Sequence, residues 1–114
     1  TNRHRAANGL PALVWDDTLY NSSRDHSATM FLTNNFAHTT KYNVGENIYM
    51  LASADRSKYT AEFIVQKWMD SPGHRANILN PRATRMAAGV LTGTQYFPQH
   101  NRELPTLYAT QHFR

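Results

Sequence analysis

Apolar positions recur along this chain with two periods, and the changes of period divide it into elements. Between Asp17 and Thr33, the residues Leu19, Ser23, His26 and Met30 fall at steps of four, three and four. They share one helical face, and Leu19, Met30 and Phe31 mark the buried side. Asp16 suits the N-cap and Asp17 the positive end of that helix. Trp15 and Tyr20 are spaced as a hydrophobic staple, and Asn34-Asn35 ends the helix. A second stripe, Ala61, Ile64, Val65 and Trp68, follows Thr60 as a cap and is the clearest amphipathic pattern in the chain. Elsewhere the period falls to two. Val44 to Met50 reads as a short strand with Val44, Glu46, Ile48 and Met50 on one face. Ala87 to Thr92 reads as another, which Gly93 extends or bulges. Leu107, Ala109, Gln111 and Phe113 alternate with Tyr108, Thr110 and His112, predicting a last strand with two distinct faces.

Breakers supply the joints. Thr1 to Asn8 reads as a helix end stopped by Gly9, with Pro11 just beyond. Phe36 to Thr40, Ala52 to Tyr59 and Pro98 to Pro105 read as loops. The stretch Trp68 to Asn80 organises the rest. Ser71-Pro72 is an N-cap followed by the first helical position, where proline's missing N–H costs nothing and its fixed φ fits. Pro72 also turns Ser71 away from the helical region, so the Trp68 helix stops and a short helix restarts, ending at Asn80-Pro81. This tight restart fixes where His74 points, and Gly73 opens space beside it. The predicted fold is α+β: a three-layer α-β-α sandwich around a small, mainly antiparallel three-stranded sheet, because sheet faces and helix stripes must both be buried.

Bulk properties narrow the function. The chain has 114 residues, one domain's worth, and 40% hydrophobic residues, with no run near the ~20 apolar residues of a membrane span. It has no cysteine, which removes disulfides and thiolate metal sites. Net charge is +4, but the 12 lysines and arginines are scattered. That pattern supports weak attraction to anionic polymers or membranes and no nucleic-acid module. Thr1 begins inside what reads as a helix, so residues 1–114 are expected to be a piece of a longer chain, and nothing demands more than a monomer.

Candidate chemistry centres on two residues. His74 is held at the restart, and Glu46 lies on an apolar strand face, where a buried carboxylate needs a partner, a metal or a proton. His26, on the buried side of its helix, is expected to bond a hydroxyl or carbonyl. Ser71, as an N-cap, is expected to accept from helix N–H groups, which argues against a nucleophile. No His-Glu-x-x-His, Gly-x-Ser-x-Gly or Ser-x-x-Lys motif occurs.

Several stretches together carry a resemblance. Arg5-Ala6-Ala7-Asn8-Gly9-Leu10-Pro11-Ala12-Leu13 with Trp15-Asp16 and Leu19, Phe36-Ala37-His38, Gly45-Glu46-Asn47-Ile48, Trp68 through Pro81, and Tyr108 through Phe113 occur in order over nearly the whole chain. The chain resembles the CAP superfamily of cysteine-rich secretory proteins, antigen 5 and pathogenesis-related 1 proteins, in its cysteine-free bacterial-like branch. The resemblance implies an α-β-α sandwich, a single CAP (SCP-like) domain from a longer secreted chain, and an extracellular or cell-surface location. It also implies a cavity with two histidines and acidic residues, here His38, Glu46 and His74. The further glutamate of eukaryotic members is replaced by Ser71, with Asp70 beside it.

The site admits three readings. His38, Glu46 and His74 are a legitimate set for zinc or another divalent metal, with Ser71 and Asp70 in support and a position left for water. Alternatively, they form a hydrogen-bonded cluster that shapes a cavity. Finally, they serve a metal-dependent, peptidase-like hydrolase. The overall expectation is a non-enzymatic surface module that binds a lipid, glycan or extracellular protein; a purely structural module is the alternative. Tyr42, Tyr49 and Trp68 are candidates for aromatic cavity walls, or else core residues.

Overall fold

The structure, a computed structural model, describes residues 1–114. Its elements run α1 (Asn2–Ala7), β1 (Val14–Trp15), α2 (Asp17–Thr33), β2 (Gly45–Ala52), a 3-10 turn (Arg56–Lys58), α3 (Ala61–Met69), α4 (Pro72–Ile78), β3 (Arg85–Phe97) and β4 (Arg102–Phe113). Local chemistry sets the helix ends. Asp16 accepts from the Thr18 and Leu19 N–H groups, Thr60 accepts from Phe63 N–H, and α2 closes on Asn34 at φ 50°. Gly9 follows α1 at φ +72°, a conformation that favours glycine.

The sheet has four strands in the order β1-β3-β4-β2. The expected three-stranded sheet gains β1, which pairs parallel with β3 through Val14↔Arg85 and Trp15↔Met86. Two residues are too few to carry a period, so the sequence pattern could not mark this strand. The other pairings are antiparallel. The last two strands are longer than their apolar alternation. Only residues 98–101 turn, and Arg102, Glu103 and Pro105 belong to a hairpin arm rather than a loop, opposite Phe97, Tyr96 and Thr94.

Alternation along β4 divides the core. Leu107, Ala109 and Phe113 pack with Leu13, Ile64, Trp68, Ile78 and Ala83 beneath α3 and α4. Tyr108 packs with Met30 and Ile48 beneath α2, and Phe31 meets the Tyr108 ring edge-on at 5.8 Å. Helix α2 comes so near β3 that a Cβ on Gly89 would lie 2.4 Å from the Arg24 nitrogen. Side chains close the outer edge of β2: Trp68 Nε1 donates to the Ile48 carbonyl at 3.0 Å and Asn77 Nδ2 to the Glu46 carbonyl at 3.1 Å. Arg5, 1% exposed, ties α1 to the far side of α4 through backbone carbonyls.

Candidate functional site: a carboxylate ringed by imidazoles

Glu46 sits one residue into β2, on the face toward α2, and is buried. Register places His112 of β4 directly opposite it. His112 Nε2 donates to Glu46 Oε2 at 2.7 Å, and His112 Nδ1 lies 2.7 Å from Ser22 Oγ on α2. The other oxygen, Oε1, receives His38 Nδ1 at 2.7 Å and the Thr39 N–H at 2.9 Å. His26 Nε2 approaches Oε2 at 3.8 Å and bonds the Ala37 carbonyl at 2.7 Å. The expectation that His26 would bond a hydroxyl or carbonyl matches that contact.

These contacts set the electrostatics. Burial would raise the Glu46 pKa, but hydrogen bonds from His112, Thr39 and His38 and the nearby His26 outweigh it, holding the carboxyl below its usual range. Glu46 is therefore an ionised acceptor. The His112 and His38 nitrogens bonded to it carry the proton, because a carboxylate only accepts.

His74 belongs to a neighbouring arrangement. Its Nδ1 lies 3.0 Å from Ser71 Oγ, and its carbonyl accepts from Asn47 Nδ2 at 3.2 Å. Ser71 is the N-cap residue of α4 but makes no side-chain cap bond; its hydroxyl meets His74 instead of helix N–H groups. Burial first, and then the neighbouring His38 imidazole, lower the His74 pKa. Asp70 stands apart, exposed at the end of α3, and accepts from Gln66 Nε2 at 2.8 Å.

The sequence candidates thus form one pair, His38–Glu46, and a second, Ser71–His74. No three His, Asp or Glu side chains converge to hold a metal ion. Strand alternation explains this. Glu46 points toward α2, whereas Asn47 on the opposite face meets α4 through His74 and Asn77. Both Glu46 oxygens are also committed to donors. In this arrangement His38, His74 and Glu46 do not come together as one group of three ligating side chains. Within the two pairs, the Nε2 atoms of His38 and His74 are the ring nitrogens that make no hydrogen bond to protein.

His112 escaped the sequence reading. It is fully buried and holds Glu46 as firmly as His38 does. The one available signal was its shared parity with Tyr108 and Thr110 on the α2 face of the last strand.

A groove of about 270 Å³ opens beside the cluster. Asp25, Thr29, Thr33, Asn35, His38 and Lys41 line it, so its walls are mainly polar. Asp25 accepts from Tyr42 Oη at 2.7 Å and Lys41 Nζ at 3.2 Å, which lowers its pKa. The aromatic walls are absent from it. Trp68 and Tyr49 pack in the core beneath α3, and Tyr42 is spent on Asp25.

Comparison with known proteins agrees with this architecture. The family model described as "CAP: Cysteine-rich secretory protein family" matches residues 1–113. The uncharacterized protein YkwD of Bacillus subtilis (strain 168) is 34% identical over 110 residues, covering 87% of this chain and 42% of that protein. The chain therefore spans less than half of that relative's length. Among solved structures, MpPR-1i superposes with TM-score 0.71 at 16% identity, covering 98% of this chain and 78% of that one. An extracellular protein containing an SCP domain from Bacillus anthracis str. Ames gives TM-score 0.66 at 24% identity, over 99% of this chain and 37% of that one. An outer surface protein from Borrelia burgdorferi gives TM-score 0.61 at 15% identity, over 99% of this chain and 85% of that one. These three likenesses concern the fold. With nearly its whole length matched by the family model, the chain belongs to the CAP family.

Proposed function

We propose that this domain is a non-enzymatic, extracellular or cell-surface binding module that takes a polar ligand in the groove beside His38. The burial and bonding of Glu46 carry this reading. Its oxygens already accept three hydrogen bonds, from His112, His38 and Thr39, and the side chain is buried under α2, so the carboxylate is poorly placed to activate water from the groove. What the cluster offers outward is an imidazole edge, with the His38 side chain 64% exposed at the groove rim. Threonine hydroxyls, Asn35, Asp25 and Lys41 surround it, which suits a hydroxyl-rich or amide-bearing ligand better than an aliphatic one. The extracellular location rests on family membership and on relatives described as extracellular or outer surface proteins.

One observation favours a second reading. The Nε2 atoms of His38 and His74 make no hydrogen bond to protein, so a cation held by both imidazoles in their neutral forms would leave its remaining positions to water. A hydrolase would need that cation. The test is a zinc titration of metal-stripped protein by calorimetry, beside an NMR titration with a panel of small polyols and amides. The binding reading expects shifts clustered at Thr29, Thr33, His38 and Lys41, without stoichiometric zinc uptake. Micromolar zinc binding abolished by His38→Ala and His74→Ala, with chelator-sensitive peptide cleavage, would replace it with the hydrolase.

A further inference from the structure

The corner where β1 enters α2 carries an aromatic pair at the N-terminal end of the helix, outside the groove. Trp15 is 52% exposed although it lies in a strand. Its ring centroid is 5.7 Å from that of Tyr20, with the planes tilted by 41°. Trp15 Nε1 donates to Asp17 Oδ1 at 3.2 Å. Arg24 lies over the Tyr20 ring, 6.0 Å from its centroid, and donates to the Tyr20 hydroxyl at 3.0 Å. Both rings are thus fixed at the surface by their own polar atoms. A staple explains why they touch. It does not explain an indole left half in water beside Asp17, with Thr18, Asn21 and Arg24 also exposed along the start of the helix.

We propose that Trp15 and Tyr20 form a carbohydrate-binding platform. The indole face stacks on the C–H face of a pyranose ring. Asp17 accepts from that ring's hydroxyls, and Arg24 donates to them with the guanidinium N–H groups that Tyr20 does not use. A sugar ring has one apolar face and a hydroxylated rim, the same division that this corner presents. A protein partner fits less well, because hot-spot aromatics sit inside a rim that excludes water, and this rim retains it. A nucleic acid fits less well too, since Asp16 and Asp17 place carboxylates where a base-stacking platform needs basic groups for phosphate.

The chain itself supplies the reporter. Of its two tryptophans, Trp68 is 3% exposed and Trp15 is the accessible one. The domain is applied to an array of immobilised neutral and acidic oligosaccharides, and the best-bound glycan is then titrated in solution. Binding should fall by roughly tenfold or more in Trp15→Ala, be partly restored in Trp15→Tyr, and survive His38→Ala. The bound glycan should also shield tryptophan emission from acrylamide. Circular dichroism controls for folding, and Tyr20→Phe, which keeps the ring, provides a milder second variant. No array glycan held above the Trp15→Ala background, or binding that survives that substitution, overturns the proposal. Because His38 lies outside the platform, its variant separates failure here from failure of the groove.

Discussion

Two buried charges hold this domain together, and they are built from opposite materials. Arg5 at the α1–α4 junction is met by backbone carbonyls: Pro11 at 2.8 Å, Ile78 and Asn80 each at 2.9 Å, and Ala83 at 3.4 Å. A guanidinium stays charged at any ordinary pH and carbonyls do not titrate, so this joint is the same in acid and at neutrality. Glu46, under α2, is met by His112, His38 and, farther off, His26. Those partners are side chains rather than backbone, and the carboxylate they hold loses its charge in acid. The first joint is a fixed strut. The second is adjustable, and it adjoins the groove.

The largest expected effect breaks the strut. Arg5→Met keeps the apolar stem but strips four carbonyls of their donor, so urea unfolding should show a loss of about 3–5 kcal/mol. Glu46→Gln keeps the shape and loses the charge, with an expected cost of about 2 kcal/mol at pH 7 in the same assay. The comparison sharpens with pH. The folded-state pKa of Glu46 is lowered, so its stabilisation is present above the ordinary carboxylate value and lost as pH falls through the folded value. Unfolding midpoints of Glu46→Gln should therefore fall less steeply in acid than those of wild type, whereas Arg5→Met should run parallel to wild type at lower stability. His74 acts earlier in the same direction. Its pKa is lowered, so the folded state resists protonation and loses stability as pH drops below the ordinary histidine value. His74→Gln should flatten that limb below the ordinary histidine value. The smallest effect belongs to the exposed partner. His38→Ala should cost about 1 kcal/mol or less while weakening groove binding, read by the NMR titration.

Much of the fold was legible because it is local. The span of α2, its Asp16 cap and the Trp15–Tyr20 contact follow from neighbours in sequence. The restart at Ser71-Pro72 was equally local, although the Ser71 hydroxyl turned to His74 once the fold offered a better partner. The site was legible only in part. Glu46 announced itself as a carboxylate among apolar positions, but His112 lies 66 residues away and reaches it through strand register, which periodicity does not contain. The same register explains why Glu46 and His74 were expected in one set and are found in two: successive residues of β2 face different helical layers. The arm from Arg102 to Pro105 read as a loop because charged residues and a proline resemble a turn, yet these positions lie at the outer end of a long hairpin.

The closed edge of β2 has a consequence for how copies of this domain meet. An open strand edge is a template on which another chain can lay a strand. Here the Trp68 indole and the Asn77 amide occupy the Ile48 and Glu46 carbonyls at the end of the sheet that holds the imidazole cluster. A foreign strand would have to evict a core tryptophan to dock there. On the opposite margin β1 covers β3 only at Arg85 and Met86, and no lysine, arginine, aspartate or glutamate interrupts the chain from Met86 to Asn101. Strand exchange is therefore directed to the β3 margin, away from the β2 edge that adjoins the imidazole cluster.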